Sequence, residues 1–129
     1  MKLPLTALVA AVLLTGCVDF RGEAPLIAAR LYLGQSNAAG PIPPQQFDEF
    51  IDTVVTPKFP DGLTLLPASG RWRAPDNTLV RERTVVLELI YPDDETGRAK
   101  GLEVIEQYKV KFRQHAVLLV VDRPSVSYR

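Results

Sequence analysis

Arg71-Trp72-Arg73 and Arg81-Glu82-Arg83 are the residues of this chain best equipped for chemistry. Guanidinium forks grip phosphate or carboxylate in a bidentate manner, and an indole between them offers a stacking surface. A turn at Ala74-Pro75-Asp76-Asn77 would fold the triplets together as two arms of a hairpin. Arg71 or Arg73 would then stand opposite residues near 80–82, with Trp72 on the other face of the ladder. Two readings follow. The six residues, with Tyr32 nearby, form a site for an anion or small ligand; or Glu82 pairs internally with an arginine while Trp72 fills the core or a dimer interface. The internal pair is the favoured reading.

Other reactive side chains are weaker candidates. Gly34-Gln35-Ser36-Asn37 after a strand is similar to the nucleophile block of SGNH-type carbohydrate esterases. Such a serine needs a base, usually in an Asp-x-x-His pair. The only histidine is His115 and position 112 is Phe112, so the pair is absent and Ser36 reads as part of a polar turn. His115 falls where a helix should end, where it could cap free carbonyls. A lone histidine is a poor metal ligand, and Asp93-Asp94-Glu95 lacks the spacing of a calcium loop. No metal, no cofactor and no catalytic residue is expected.

Cys17 is different in kind. The apolar run from Leu3 to Leu14 follows Met1-Lys2 and leads through Thr15-Gly16 to the only cysteine. The run is too short for the roughly 20 residues of a spanning helix and fits a secretory h-region. This is the pattern of a lipoprotein signal (residues 1–16) with lipidation at Cys17, where two or three acyl chains make a stable anchor. The expected location is the periplasm, membrane-anchored. Val18 in place of an aspartate after the cysteine favours the outer over the inner membrane, and Asp19 weakens that slightly.

Lys2 is the only charge in residues 1–16, so the mature chain would carry 14 basic against 15 acidic side chains. That balance argues against nucleic acid as a partner and against a polybasic membrane patch. With Cys17 acylated no thiol remains for disulfides or metal. Residues 17–25 read as the acylated cysteine and its tether, and 26–129 as one small domain.

The elements that must position these side chains follow from periodicity. A strand begins at Leu26 and stops at Gly34, and a loop rich in Gly, Pro, Asn and Ser runs from Gln35 to Pro44. Phe47, Phe50, Ile51, Val54 and Val55 recur at helical spacing, with Pro44 in the first turn and Pro57 marking the end. After the turn Pro60-Asp61-Gly62, a strand at Leu63–Leu66 resumes beyond Pro67 as far as Arg73, and the longest strand spans Thr78 to Tyr91. A second helix opens at Asp93-Asp94-Glu95, with Leu102, Val104, Ile105, Tyr108 and Phe112 as its apolar face, before a last strand at Ala116–Val121. The order predicts an α+β, ferredoxin-like βαββαβ domain: a four-stranded antiparallel sheet with two helices on one face, first and third strands central.

Two strands are apolar on both faces: Val85, Val86, Leu87, Leu89 and Ile90, and Val117 to Val121. Something should cover the second face, and a second copy of the domain, making a homodimer, is the simplest cover. The loop Gln35–Pro43 or the C-terminal tail is the alternative.

Thr56-Pro57-Lys58-Phe59-Pro60-Asp61-Gly62-Leu63-Thr64, with Gly70-Arg71-Trp72 and Arg81-Glu82, resembles the family of small bacterial putative lipoproteins known as domain of unknown function 3574. The resemblance runs from about Arg30 to Val121. Phe47 stands where the family would have tryptophan, and Arg83-Thr84 where a serine often follows. The family carries no established activity, so the resemblance supports the domain's extent and leaves its function open. The leading expectation is a non-catalytic binding or self-associating module. The alternative is a small-molecule enzyme of the dimeric α+β barrel type, with its pocket on the open sheet face.

Overall fold

The structure is a computed structural model, and it describes residues 25–127 and 129. The signal segment 1–16, Cys17 and the tether up to residue 24 lie outside the described residues. Among the described residues no helix is long and apolar enough to cross a membrane.

The first strand, β1 (Leu26–Gly34), is followed by a two-pair ladder, β2 (Ser36–Asn37) and β3 (Gly40–Pro41), inside the segment expected to be a loop. Helix α1 (Pro44–Phe50) has proline in its first turn, as expected, but then widens into a π-helical turn at Ile51–Val55. There the Ile51 carbonyl accepts both the backbone N–H and the hydroxyl of Thr56, at 2.9 and 3.0 Å. Pro57 has no N–H to continue the ladder, and the chain turns away. The turn before β4 (Thr64–Arg73) places Gly62 at φ 139°, which a side chain would resist. Strand β4 is unbroken through Pro67, because β4 lies at the sheet edge and a missing donor can face solvent there.

Asn77, at φ 70°, closes the hairpin into β5 (Leu79–Pro92). Helix α2 (Glu95–Phe112) starts under an Asp94 cap, whose carboxylate accepts the Gly97 N–H at 2.7 Å. Neighbouring Asp93 is held by Arg98 and Arg123. Strand β6 (Leu118–Asp122) completes the sheet.

Sheet order is β4-β5-β1-β6, antiparallel throughout, so the central strands are those the sequence predicts. Alternation decides the layers. Ile27, Ala29, Leu31 and Leu33 of β1 and Leu87, Leu89 and Tyr91 of β5 pack against Phe47, Phe50, Ile51 and Val55 and against Val104, Ile105, Tyr108 and Phe112 of α2. Both helices therefore cover one face, the ferredoxin-like arrangement. Phe50, Tyr108 and Phe112 meet at centroid distances of 4.7–5.6 Å, two of the pairs edge to face. Leu102 is the exception on α2: it is 56% exposed, at a cavity it shares with Leu119 and Val121 of β6. The whole of this core lies between Ile27 and Phe112, so a chain starting at Val18 carries everything the fold requires.

Among the described residues no helix covers the other face of the sheet. Its side chains run in register across the strands as Leu66, Val86, Tyr32 and Leu118. The next row is Thr64, Glu88, Arg30 and Val120, in which Arg30 is bonded to Glu88 and, on the flanking row, to Asp122. Val86 is buried because Tyr32 and Leu66 flank it, whereas Leu66 and Leu118 stay 47% and 60% exposed. The loop expected as a cover instead binds the end of α2, leaving Leu66, Ile90 and Leu118 open.

Candidate functional site

Beyond Gly34, β1 has ended, and β4 and β5 continue alone as a two-stranded ribbon from Ser69↔Arg83 to Arg73↔Leu79. Register puts Arg71 directly opposite Arg81, and Trp72 opposite Val80 on the other face, as expected. Arg71, Arg73, Arg81 and Arg83 thus share one face of the ribbon, and all are exposed. The favoured internal pair does not form: among the described residues, Glu82 has no ion-pair partner. Glu82 occupies an even position, so it projects from the opposite face to the arginines. Trp72 is 50% exposed, so it fills no core either. The turn beneath is rigid by its own bonds. Asp76 accepts from the Thr78 hydroxyl and backbone at 2.7 and 3.0 Å, which hold its carboxyl below the ordinary carboxylate range. Arg73 donates to the Asn77 carbonyl and side chain.

On the Trp72 and Glu82 side the ribbon walls a cleft of about 630 Å³. Its other walls are Ser36–Ala39 and the turn Arg113–Ala116 that links α2 to β6. The close approach is made at Gly34: a side chain there would run into the Glu82 carboxylate and the Gln114 amide. The cleft is built around the end of α2. Arg113 takes the left-handed conformation at φ 53°, and the exposed Phe112 carbonyl accepts from Asn37 at 3.0 Å and Gln114 at 3.2 Å. His115, expected as that cap, is exposed in the bend beyond and lines the cleft instead. Gln114 also reaches the Ser36 carbonyl at 2.8 Å.

Under the cleft floor, the fully buried Tyr108 donates its hydroxyl to the Gly34 carbonyl at 2.7 Å and accepts from Gln35 at 3.2 Å. Burial raises its pKa well above the ordinary tyrosine value; the Gln35 bond works against that rise and the Glu82 charge adds to it. The motif Gly34-Gln35-Ser36-Asn37 is therefore structural, and it locks the first strand to the end of the second helix.

The sequence-predicted residues separate into three groups. Trp72, Arg81 and Glu82 line the cleft, together with Ser36 and His115. Arg71, Arg73 and Arg83 belong to the arginine face. Tyr32 lies apart, in the middle of the open sheet face between Val86 and Leu118. Cys17 lies outside the described residues. The cleft residues Arg113 and Gln114 do not stand out in the sequence; only the polar, helix-ending character of 113–115 could have signalled them. Among the described residues no group of three or more histidines and carboxylates could hold a metal ion.

Comparison with known proteins agrees with the fold. The family model described as "Protein of unknown function (DUF3574)" matches residues 28–128. No curated protein matches the sequence. Among solved structures, a phage SAM lyase in complex with S-methyl-5'-thioadenosine is similar at TM-score 0.61 and 18% identity, covering 80% of this chain and 84% of that one. The same kind of enzyme without ligand gives 0.57 at 19% identity, with coverage of 74% and 78%. CutA from Synechococcus elongatus PCC7942 gives 0.52 at 12% identity, with coverage of 79% and 80%.

Proposed function

The chain belongs to the DUF3574 family of proteins of unknown function, and from that premise we propose that it is a lipid-anchored periplasmic module that acts by association rather than catalysis. The open sheet face would take a second copy of the domain. One observation carries this reading: the apolar row Leu66, Val86, Tyr32 and Leu118 crosses all four strands, and among the described residues no element lies over it. A copy turned about a two-fold axis would bury that row against itself, beside the already paired Arg30 and Glu88. Anchoring at Cys17, on the outer membrane, would hold copies at high effective concentration and favour pairing. Size-exclusion chromatography of residues 18–129 tests the pairing. The parent is expected to run as a dimer, and Leu66→Lys with Leu118→Lys as a folded monomer; identical elution would refute the interface. Labelling of cells with radioactive palmitate tests the anchor: label should enter the parent and be absent from Cys17→Ser.

A second reading, a small-molecule enzyme, is favoured by the cleft in which Trp72, Glu82, Ser36 and His115 meet. A phage SAM lyase of the same fold is described with S-methyl-5'-thioadenosine, which supports the capacity of such a fold to hold a nucleoside thioether. Trp72 is the only tryptophan, so its fluorescence reports on the cleft. Quenching by S-methyl-5'-thioadenosine that Glu82→Gln abolishes would favour this reading. An unchanged spectrum at millimolar ligand would leave the association reading alone.

A further inference from the structure

Four arginines line one face of a projecting ribbon, and of these only Arg73 serves the ribbon itself, by donating to Asn77. Arg71 and Arg81 are direct cross-strand neighbours, Arg83 is diagonal to Arg71, and Arg73 is diagonal to Arg81. Like charges placed so are mutually destabilising. Among the described residues, no carboxylate pairs with any of them: Glu82 is on the other face and Asp76 is engaged by Thr78. Their charge is therefore available to something outside the fold. The near-neutral total charge of the chain conceals this concentration.

The ribbon's end carries a second signal. Leu79, on the arginine face opposite Arg73, is 53% exposed. An exposed leucine among arginines suits the boundary between headgroups and acyl chains. The arginines are spread along the ladder and all face solvent, which suits an extended array of phosphates better than a single enclosed anion.

We propose that the arginine face of the β4–β5 ribbon docks on an anionic phospholipid surface, with Arg71, Arg73, Arg81 and Arg83 on the phosphates and Leu79 at the headgroup boundary. This contact is independent of both the open sheet face and the acyl anchor. Strand β1 starts beside the far end of β5, at Pro92. The ribbon is thus a second point of attachment at the opposite end of the sheet, one that would fix the domain's orientation on a membrane.

The test uses residues 18–129, which carry no acyl chain, with vesicles of phosphatidylcholine alone or mixed with phosphatidylglycerol. The protein is expected to co-sediment with the anionic vesicles only and to be released by high salt. Arg71→Gln with Arg81→Gln should weaken partitioning about 25-fold, at roughly fivefold per arginine. Arg71→Lys with Arg81→Lys should keep the binding, which separates charge from folding. Equal binding to neutral vesicles overturns the proposal, as does an unchanged affinity in the glutamine variant. So does binding of a single-stranded oligonucleotide, or of inorganic phosphate, in the absence of vesicle binding.

Discussion

Tyr108 concentrates the residue-scale physics of this protein. It is wholly buried, its ring is packed by Phe50 and Phe112, and its hydroxyl is satisfied twice, by Gly34 and Gln35. Tyr108→Phe keeps the ring and strands a carbonyl and an amide, so a loss of about 1–3 kcal/mol is expected in urea denaturation. The pH dependence has a defined sign. Burial keeps the folded-state hydroxyl protonated above its ordinary value of 10.0, where the unfolded chain releases the proton. Stability is therefore undisturbed below that value and falls as pH rises past it, and the fall should be shallower in Tyr108→Phe. Tyr91, shifted the same way by burial, maintains part of it. A fall equally steep in both proteins would remove Tyr108 from the account. At this scale the sequence was only partly legible. Trp72 and the arginines announced themselves by type, and register then separated them onto two faces. Ser36 and His115 read as a polar turn and a helix cap; their convergence on one cleft depends on the close contact of Gly34 with Glu82 and Gln114, which no spacing rule encodes.

Elements were more legible than residues, because hydrophobic periodicity reports directly on which face is buried. The helical spacing of Phe47, Phe50, Ile51 and Val55 and of Val104, Ile105, Tyr108 and Phe112 matches the core. Leu102 fits the same pattern yet is exposed, since amphipathicity says where a helix is apolar and not how closely the sheet packs there. The π-helical turn at Ile51–Val55 was likewise hidden: it depends on Thr56 bonding twice to one carbonyl, an alternative that helical periodicity does not distinguish. Pro67 read as a break in a strand, but edge position makes it harmless, and edge position is a property of the sheet rather than of the segment. The ribbon beyond Gly34 belongs at this scale too. It arises because β4 and β5 are longer than the strands beside them, and its length is what sets the arginine face apart from the core.

At the scale of the molecule, one sheet has apolar side chains on both faces and, among the described residues, helices for only one of them. The apolar run at 85–90, broken only by Glu88, already implied this, and the exposure of Leu66, Ile90 and Leu118 gives it a location. Burying such a row is worth about 25 cal/mol for each Å² removed from water, which favours a lasting interface over a passing contact. Cys17 would make that interface easier to form by confining copies to one surface. The central claim is that this face is covered by a second copy, and sedimentation equilibrium of residues 18–129 over a wide concentration range tests it most directly. The account predicts the mass of two chains at the upper concentrations, reverting to one when Leu66 and Leu118 are both changed to lysine; a single-chain mass for the parent at every concentration would contradict it.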